Sequence, residues 1–147
     1  EGQARLDTSG GSISIEGHSG SADASTSGGG ISLERSQGEF RVSTSGGSIS
    51  IEQVSGQVEA ETSGGSIRAE LDRVDGDLDL STSGGSIRIT VPGGQGYDLD
   101  LAGTRVDVRL VDFTGTSQRN RVSGTMAGGG HAIRARTSGG TISLDFQ

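Results

Sequence analysis

Cysteine and tryptophan are absent, tyrosine and proline occur once each, and aromatic residues make up only 3% of this 147-residue chain. Without cysteine there is neither a disulfide frame nor thiolate chemistry. An apolar fraction of 29% excludes a thick globular interior as well. No apolar run approaches the roughly 20 residues of a helical membrane span, and Glu1-Gly2-Gln3 lacks a signal-peptide pattern. Lysine is also missing. All 12 basic residues are arginines scattered among 19 acidic ones, so the clustered positive face that nucleic-acid binding requires is not there. The net charge of −7 favours solubility and leaves room for cations.

Glycine is abundant, with 28 copies. Low hydrophobicity with this much glycine would read as disorder, but the chain repeats itself. Thr8-Ser9-Gly10-Gly11 returns at Thr26, Thr44, Thr62, Thr82 and Thr137, the first four copies 18 residues apart. A period this short marks one supersecondary unit that buries its apolar face only by stacking on its neighbours.

Within each unit, polar and apolar residues alternate. Ser12-Ile13-Ser14-Ile15-Glu16, Ser48-Ile49-Ser50-Ile51-Glu52 and Ser66-Ile67-Arg68-Ala69-Glu70 each read as a strand with one buried face. A second stretch turns Ala22, Ala24 and Thr26 inward, then Phe40, Val42 and Thr44, then Val58, Ala60 and Thr62, then Leu78, Leu80 and Thr82. The threonine of each TSGG is therefore predicted to point inward and to bond backbone, and Gly-Gly to supply a positive φ at the corner. The fold class that follows is all-β: a single-domain, right-handed parallel β-solenoid with two-strand coils of about 18 residues. Regular coils span 1–110, an irregular coil or hairpin 111–130, and a terminal coil 131–147.

The TSGGSI repeats and the terminal run from Val122 through Gly128-Gly129-Gly130-His131-Ala132-Ile133-Arg134-Ala135-Arg136-Thr137-Ser138-Gly139-Gly140-Thr141-Ile142 resemble a bacterial family of adhesin-type proteins, also called toastrack domains. The resemblance covers essentially the whole chain. It implies a β-solenoid of bacterial envelope or surface proteins, with roles in adhesion or membrane-stress sensing, and it transfers no catalytic residue. Relatives carry coils ahead of the first TSGG, whereas this chain opens at Glu1 in mid-coil.

Gln147 and Glu1 interrupt the coil at complementary points. Stacked head to tail, one copy would lay Ile142 and Leu144 on Ile13 and Ile15 of the next, with Phe146 continuing the strand. Ile133, Ala135 and Arg136 would receive Ala4, Leu6 and Asp7. The expectation is an open fibre of this chain with itself, a heterologous contact that does not close. On this view Ile142→Asp stops assembly and leaves the coils folded.

Glu16, Glu34, Glu52 and Glu70 fall in one outward column, about 4.8 Å apart by strand spacing. They suggest either a ladder for a divalent cation or a solvated face eased by Arg35, Arg68 and Arg73; no other cofactor is suggested. Arg5, Asp23, Arg41, Glu59 and Asp79 form a second outward column of mostly alternating sign, which favours register. The rows Ser12/Ser14, Ser32 and Ser48/Ser50 present hydroxyls, but Arg68 and Arg88 break the regularity an ice surface demands. His18 and His131 lie far apart in coil count. No G-x-S-x-G elbow supports a nucleophile, and an aromatic-poor chain has no stacking platforms for polysaccharide cleavage, so catalysis is not expected. The functional expectation is an extracellular or cell-surface structural protein, adhesin-like, with a surface glycan or protein as further partner. The alternative is a monomeric envelope-stress-sensing or ligand-binding module of a larger surface protein.

Overall fold

The structure, a computed structural model, describes residues 2–73, 76–91, 96–108, 113–126 and 128–146, the side chains of 72, 73 and 146 excepted. The side chains of Arg73 and Phe146, and parts of the expected irregular segment 111–130, therefore lie outside the described residues.

Nine strands make about five turns of solenoid in chain order. They are β1 (Gly2–Thr8), β2 (Ile13–Glu16), β3 (Ser19–Thr26), β4 (Ile31–Glu34), β5 (Gln37–Thr44), β6 (Ile49–Thr62), β7 (Ile67–Arg73), β8 (Leu78–Thr82) and β9 (Ile87–Val91). On one face β1, β3, β5, the second half of β6 and β8 pair in parallel. On the other, β2, β4, the first half of β6, β7 and β9 do the same. Because the repeat aligns identical positions, side chains fall in columns: Ile13, Ile31, Ile49, Ile67 and Ile87 stack directly, and Ala22, Phe40, Val58 and Leu78 face them from the second sheet. The interior is thin, yet these side chains are buried throughout.

The threonine ladder holds the coils in register. Thr62 Oγ1 donates to Gly47 O of the preceding coil at 2.8 Å and accepts the Gly65 N–H of its own coil at 3.3 Å. Thr26, Thr44 and Thr82 repeat both bonds. Each hydroxyl thus joins two turns inside the core, where a lone polar group would cost about 1–3 kcal/mol. Thr62→Val keeps the shape and removes both bonds. It is expected to lower stability by about 2 kcal/mol, read as a reduced urea midpoint with an unchanged slope.

The glycines of TSGG do not have the backbone expected of them. Among the described residues, positive φ in the regular repeat falls instead at Gly17 (68°), Arg35 (48°) and Gln53 (53°), the bend between the two faces of a coil, and just beyond it at Gly20 (114°), Gly38 (134°) and Gly56 (118°). The second glycine is needed for proximity: a Cβ on Gly47 would lie 2.1 Å from Gly29 O, and the same approach recurs at Gly29, Gly65, Gly85 and Gly140.

The end of the chain departs most from the expected order. After β9 come β10 (Tyr97–Ala102), β11 (Arg105–Val108), β12 (Phe113–Ser117), β13 (Arg121–Met126), β14 (His131–Thr137) and β15 (Thr141–Phe146). β10 does not lie on β8. Instead β14 pairs β8 on one side and β10 on the other, while β15 pairs both β9 and β11, all in parallel. The last coil in sequence is thus inserted between two earlier levels. Residues 113–126 form an antiparallel hairpin laid along the far edge of β10, covering that end of the solenoid.

Charge favours the insertion. Arg134 stands between Asp79 and Asp100 in the column that begins at Arg5, in which Glu59 and Asp79 already lie side by side. Stacking in chain order would instead set Asp100 directly against Asp79, and like charges in that position repel. The threonine ladder continues through the insert, since Thr137 Oγ1 donates to Gly85 O at 2.7 Å, whereas the β10 level carries Gly103 in that place and bonds Gly140 O through the Thr104 amide at 3.1 Å.

Candidate functional site

The residues expected to join one copy to the next separate into two groups. Ile133 lies between Leu78 and Leu99, Ala135 between Leu80 and Leu101, Ile142 between Ile87 and Val106, and Leu144 between Ile89 and Val108. All four side chains are buried. Arg136 has Ser81 and Ala102 beside it, not Asp7, and the backbone of Phe146 pairs with Val91. Both edges of β14 and β15 are thus occupied from within the chain, so this half-coil cannot receive Ala4, Leu6 and Asp7 or lie on Ile13 and Ile15 of a neighbour. The terminal-half-coil joint is therefore corrected. Any half-coil of a regular repeat carries the same alternation, so the sequence shows which segments stack but not in what spatial order.

The other group remains accessible. Among the described residues β1 pairs only β3, and β2 only β4. Leu6 is 39% exposed and, among the described residues, is the one large exposed hydrophobic. Ala4 is half-buried, Ile13 and Ile15 are nearly covered, and Asp7 faces solvent. At the opposite end Leu99 is followed by Gly124 and Gly115 and Leu101 by Val122 and Ser117, while Tyr97 is followed by Met126 and half-buried Phe113, and the other face ends on half-buried Val106 and Val108. One end offers exposed Leu6 on a strand whose outer edge has no strand partner among the described residues, while the other presents the exposed, mostly polar strand β12 beside half-buried Val106 and Val108 of β11.

The glutamate column is present in register, Glu16 beside Glu34, Glu34 beside Glu52 and Glu52 beside Glu70. Glu16 is ion-paired with Arg35, and among the described residues no group of three or more acidic or histidine side chains gathers as a metal site would. In the second outward column Arg41 Nε meets Glu59 Oε2 at 3.3 Å. His18 is held locally, its Nε2 3.0 Å from Ser21 O and its ring edge-on to Phe40; His131 lies on β14 beside Tyr97.

Two features escaped sequence reasoning because insertion creates them. Arg136 and Arg121 flank Ala102 in one outward row, in a hollow also lined by Ser81, Thr104, Asn120 and Ser138 and by no carboxylate. Tyr97 is enclosed between β13 and β14. Burial raises the Tyr97 hydroxyl above its ordinary value of 10.0. The unfolded chain then ionises first, so this contribution to stability is complete below pH 10.0 and is lost as pH rises through the folded value. Alkaline titration followed by tyrosinate absorbance is expected to lag in the native protein relative to the urea-unfolded chain, with the urea midpoint falling over the same range. This being the only tyrosine, the signal reports the inserted region alone.

A family profile described as Toastrack DUF4097 matches residues 3–145. None of the curated proteins and none of the solved structures compared with the chain matches it.

Proposed function

The chain belongs to the Toastrack DUF4097 family, and from that premise we propose that it is a non-catalytic structural module of the bacterial cell surface, adhesin-like in use, which meets a second copy of itself through the β1–β2 edge. Its surface placement rests on the resemblance of the TSGGSI repeats to solenoids of bacterial envelopes. The observation that carries the contact is the β1 edge itself: it pairs only β3 among the described residues and bears exposed Leu6, whereas the far edge of β10 is covered by the hairpin of β12 and β13.

Antiparallel pairing of β1 with its symmetry mate, centred on Leu6, sets Leu6 on Leu6 and Arg5 opposite the partner's Asp7. Such a two-fold contact closes at a dimer and makes no fibre. One coil's cross-section falls below the roughly 1,000 Å² of a stable interface, so association is weak and depends on concentration. Sedimentation velocity across a concentration series is expected to show reversible dimerisation of the natural sequence and monomer for Leu6→Asp. A natural sequence that stays monomeric at every concentration would overturn the contact. The hollow at Arg121 and Arg136 favours a second reading, a monomeric ligand-binding module whose ligand is acidic, and that monomeric result would leave it standing.

A further inference from the structure

We propose that β14–β15 is an exchangeable insert, and that the slot it fills between β8–β9 and β10–β11 accepts the same segment from a second copy of this chain. The slot's walls are all earlier in sequence than its occupant. Every bond that seats the insert is remote: Thr137 Oγ1 reaches Gly85 O across 52 residues, and the Ala132 and Thr141 amides reach Asp77 Oδ1 and Ser86 Oγ across 55.

The walls do not suit each other in its absence. Closing β10 onto β8 would stack Asp100 on Asp79, which already has Glu59 beside it, and would bring Gly103, with no hydroxyl to donate, into the place of Thr137. The insert answers both with Arg134 and Thr137, and adds an ion pair at 3.9 Å from Asp145 to Arg88. A second copy carries the same groups at the same spacing, so exchange changes connectivity and no contact.

The tether is suited to this. β13 and β14 flank opposite edges of β10, so their connection must cross the end of that strand. Gly128 and Gly129 have φ of 83° and 85°, and Gly130 lies so close that a Cβ would stand 2.3 Å from Gly96 O. Straightening this run of glycines frees the insert from its own slot without breaking any other strand pair.

The test uses the full chain carrying Leu6→Asp, so that association through β1 does not contribute. A fluorescent peptide of residues 128–147, incubated with it in mild urea and returned to buffer, is expected to co-elute with the protein. The Arg134→Glu peptide should be held roughly tenfold less, since two attractive neighbours become repulsive. In hydrogen exchange of the natural chain, the amides of β14 and β15 should open together with those of β10–β13 and ahead of β4–β7. The proposal is overturned if neither peptide is retained, if both are retained equally, or if β14 and β15 exchange only with β4–β7. The outcome is independent of whether the Leu6 contact exists.

Discussion

Ile142→Asp is expected to cost about 4–5 kcal/mol and to release the far end of the solenoid, while the turns from β2 to β7 stay folded. Ile142 has no exposure and a partner strand on either side. The substitution loses about 2–3 kcal/mol of burial, and the carboxylate gains no partner in the column of Ile87 and Val106. That penalty falls on the insert, which supports β10 and β11 and through them the hairpin. Tyr97 lies against β14 and is the only tyrosine, so acrylamide quenching of its fluorescence reads the release directly, and a broadened or two-step thermal transition accompanies it. The control is Ile13→Asp, at a position with a single partner strand and 7% exposure, which should cost about half as much. Equal costs at the two positions, with Tyr97 still protected, would contradict the insertion.

Much of the architecture was legible because the repeat is strict. Alternation gave both faces of each coil, and the inward threonines and both charge columns follow from counting by the period. Legibility failed wherever the chain leaves its own order. The run from Ile133 to Leu144 carries the same pattern as any other half-coil, so nothing local distinguishes a terminal level from an inserted one. A signal was nevertheless present: in chain order the outward column reads Arg5, Asp23, Arg41, Glu59, Asp79 and Asp100, ending in three acids, and Arg134 from the last coil breaks that run between Asp79 and Asp100, leaving Glu59 beside Asp79. The joint expected at the two ends failed for the same reason, since it treated Gln147 as a spatial end. The basic hollow was illegible because Arg121 and Arg136 become neighbours of Ala102 only through the insertion and the hairpin.

The two glycines of each TSGG look equivalent in sequence, and the structure separates them sharply. Gly47→Ala is expected to cost about 3 kcal/mol or more, whereas Gly46→Ala should change stability by less than about 1 kcal/mol in either direction. A Cβ on Gly47 would meet Gly29 O at 2.1 Å and Gly29 C at 2.4 Å. Both are main-chain atoms of the neighbouring coil, and relief would mean prising two turns apart. Doing so would stretch the Thr44 hydroxyl's bond to Gly29 O and the Thr62 hydroxyl's bond to Gly47 O. By contrast, a Cβ on Gly46 meets only Ser27 O, at 3.8 Å, an ordinary contact, and loss of glycine's freedom in the unfolded chain offsets what strain there is. If backbone conformation were the reason for glycine here, the two substitutions would be expected to cost alike, because neither position has positive φ. Urea unfolding of the pair therefore separates crowding from conformation. A difference of several kcal/mol assigns the motif to the approach of one coil on the next, the approach that recurs at Gly29, Gly65, Gly85 and at Gly140 of the inserted coil on Gly85.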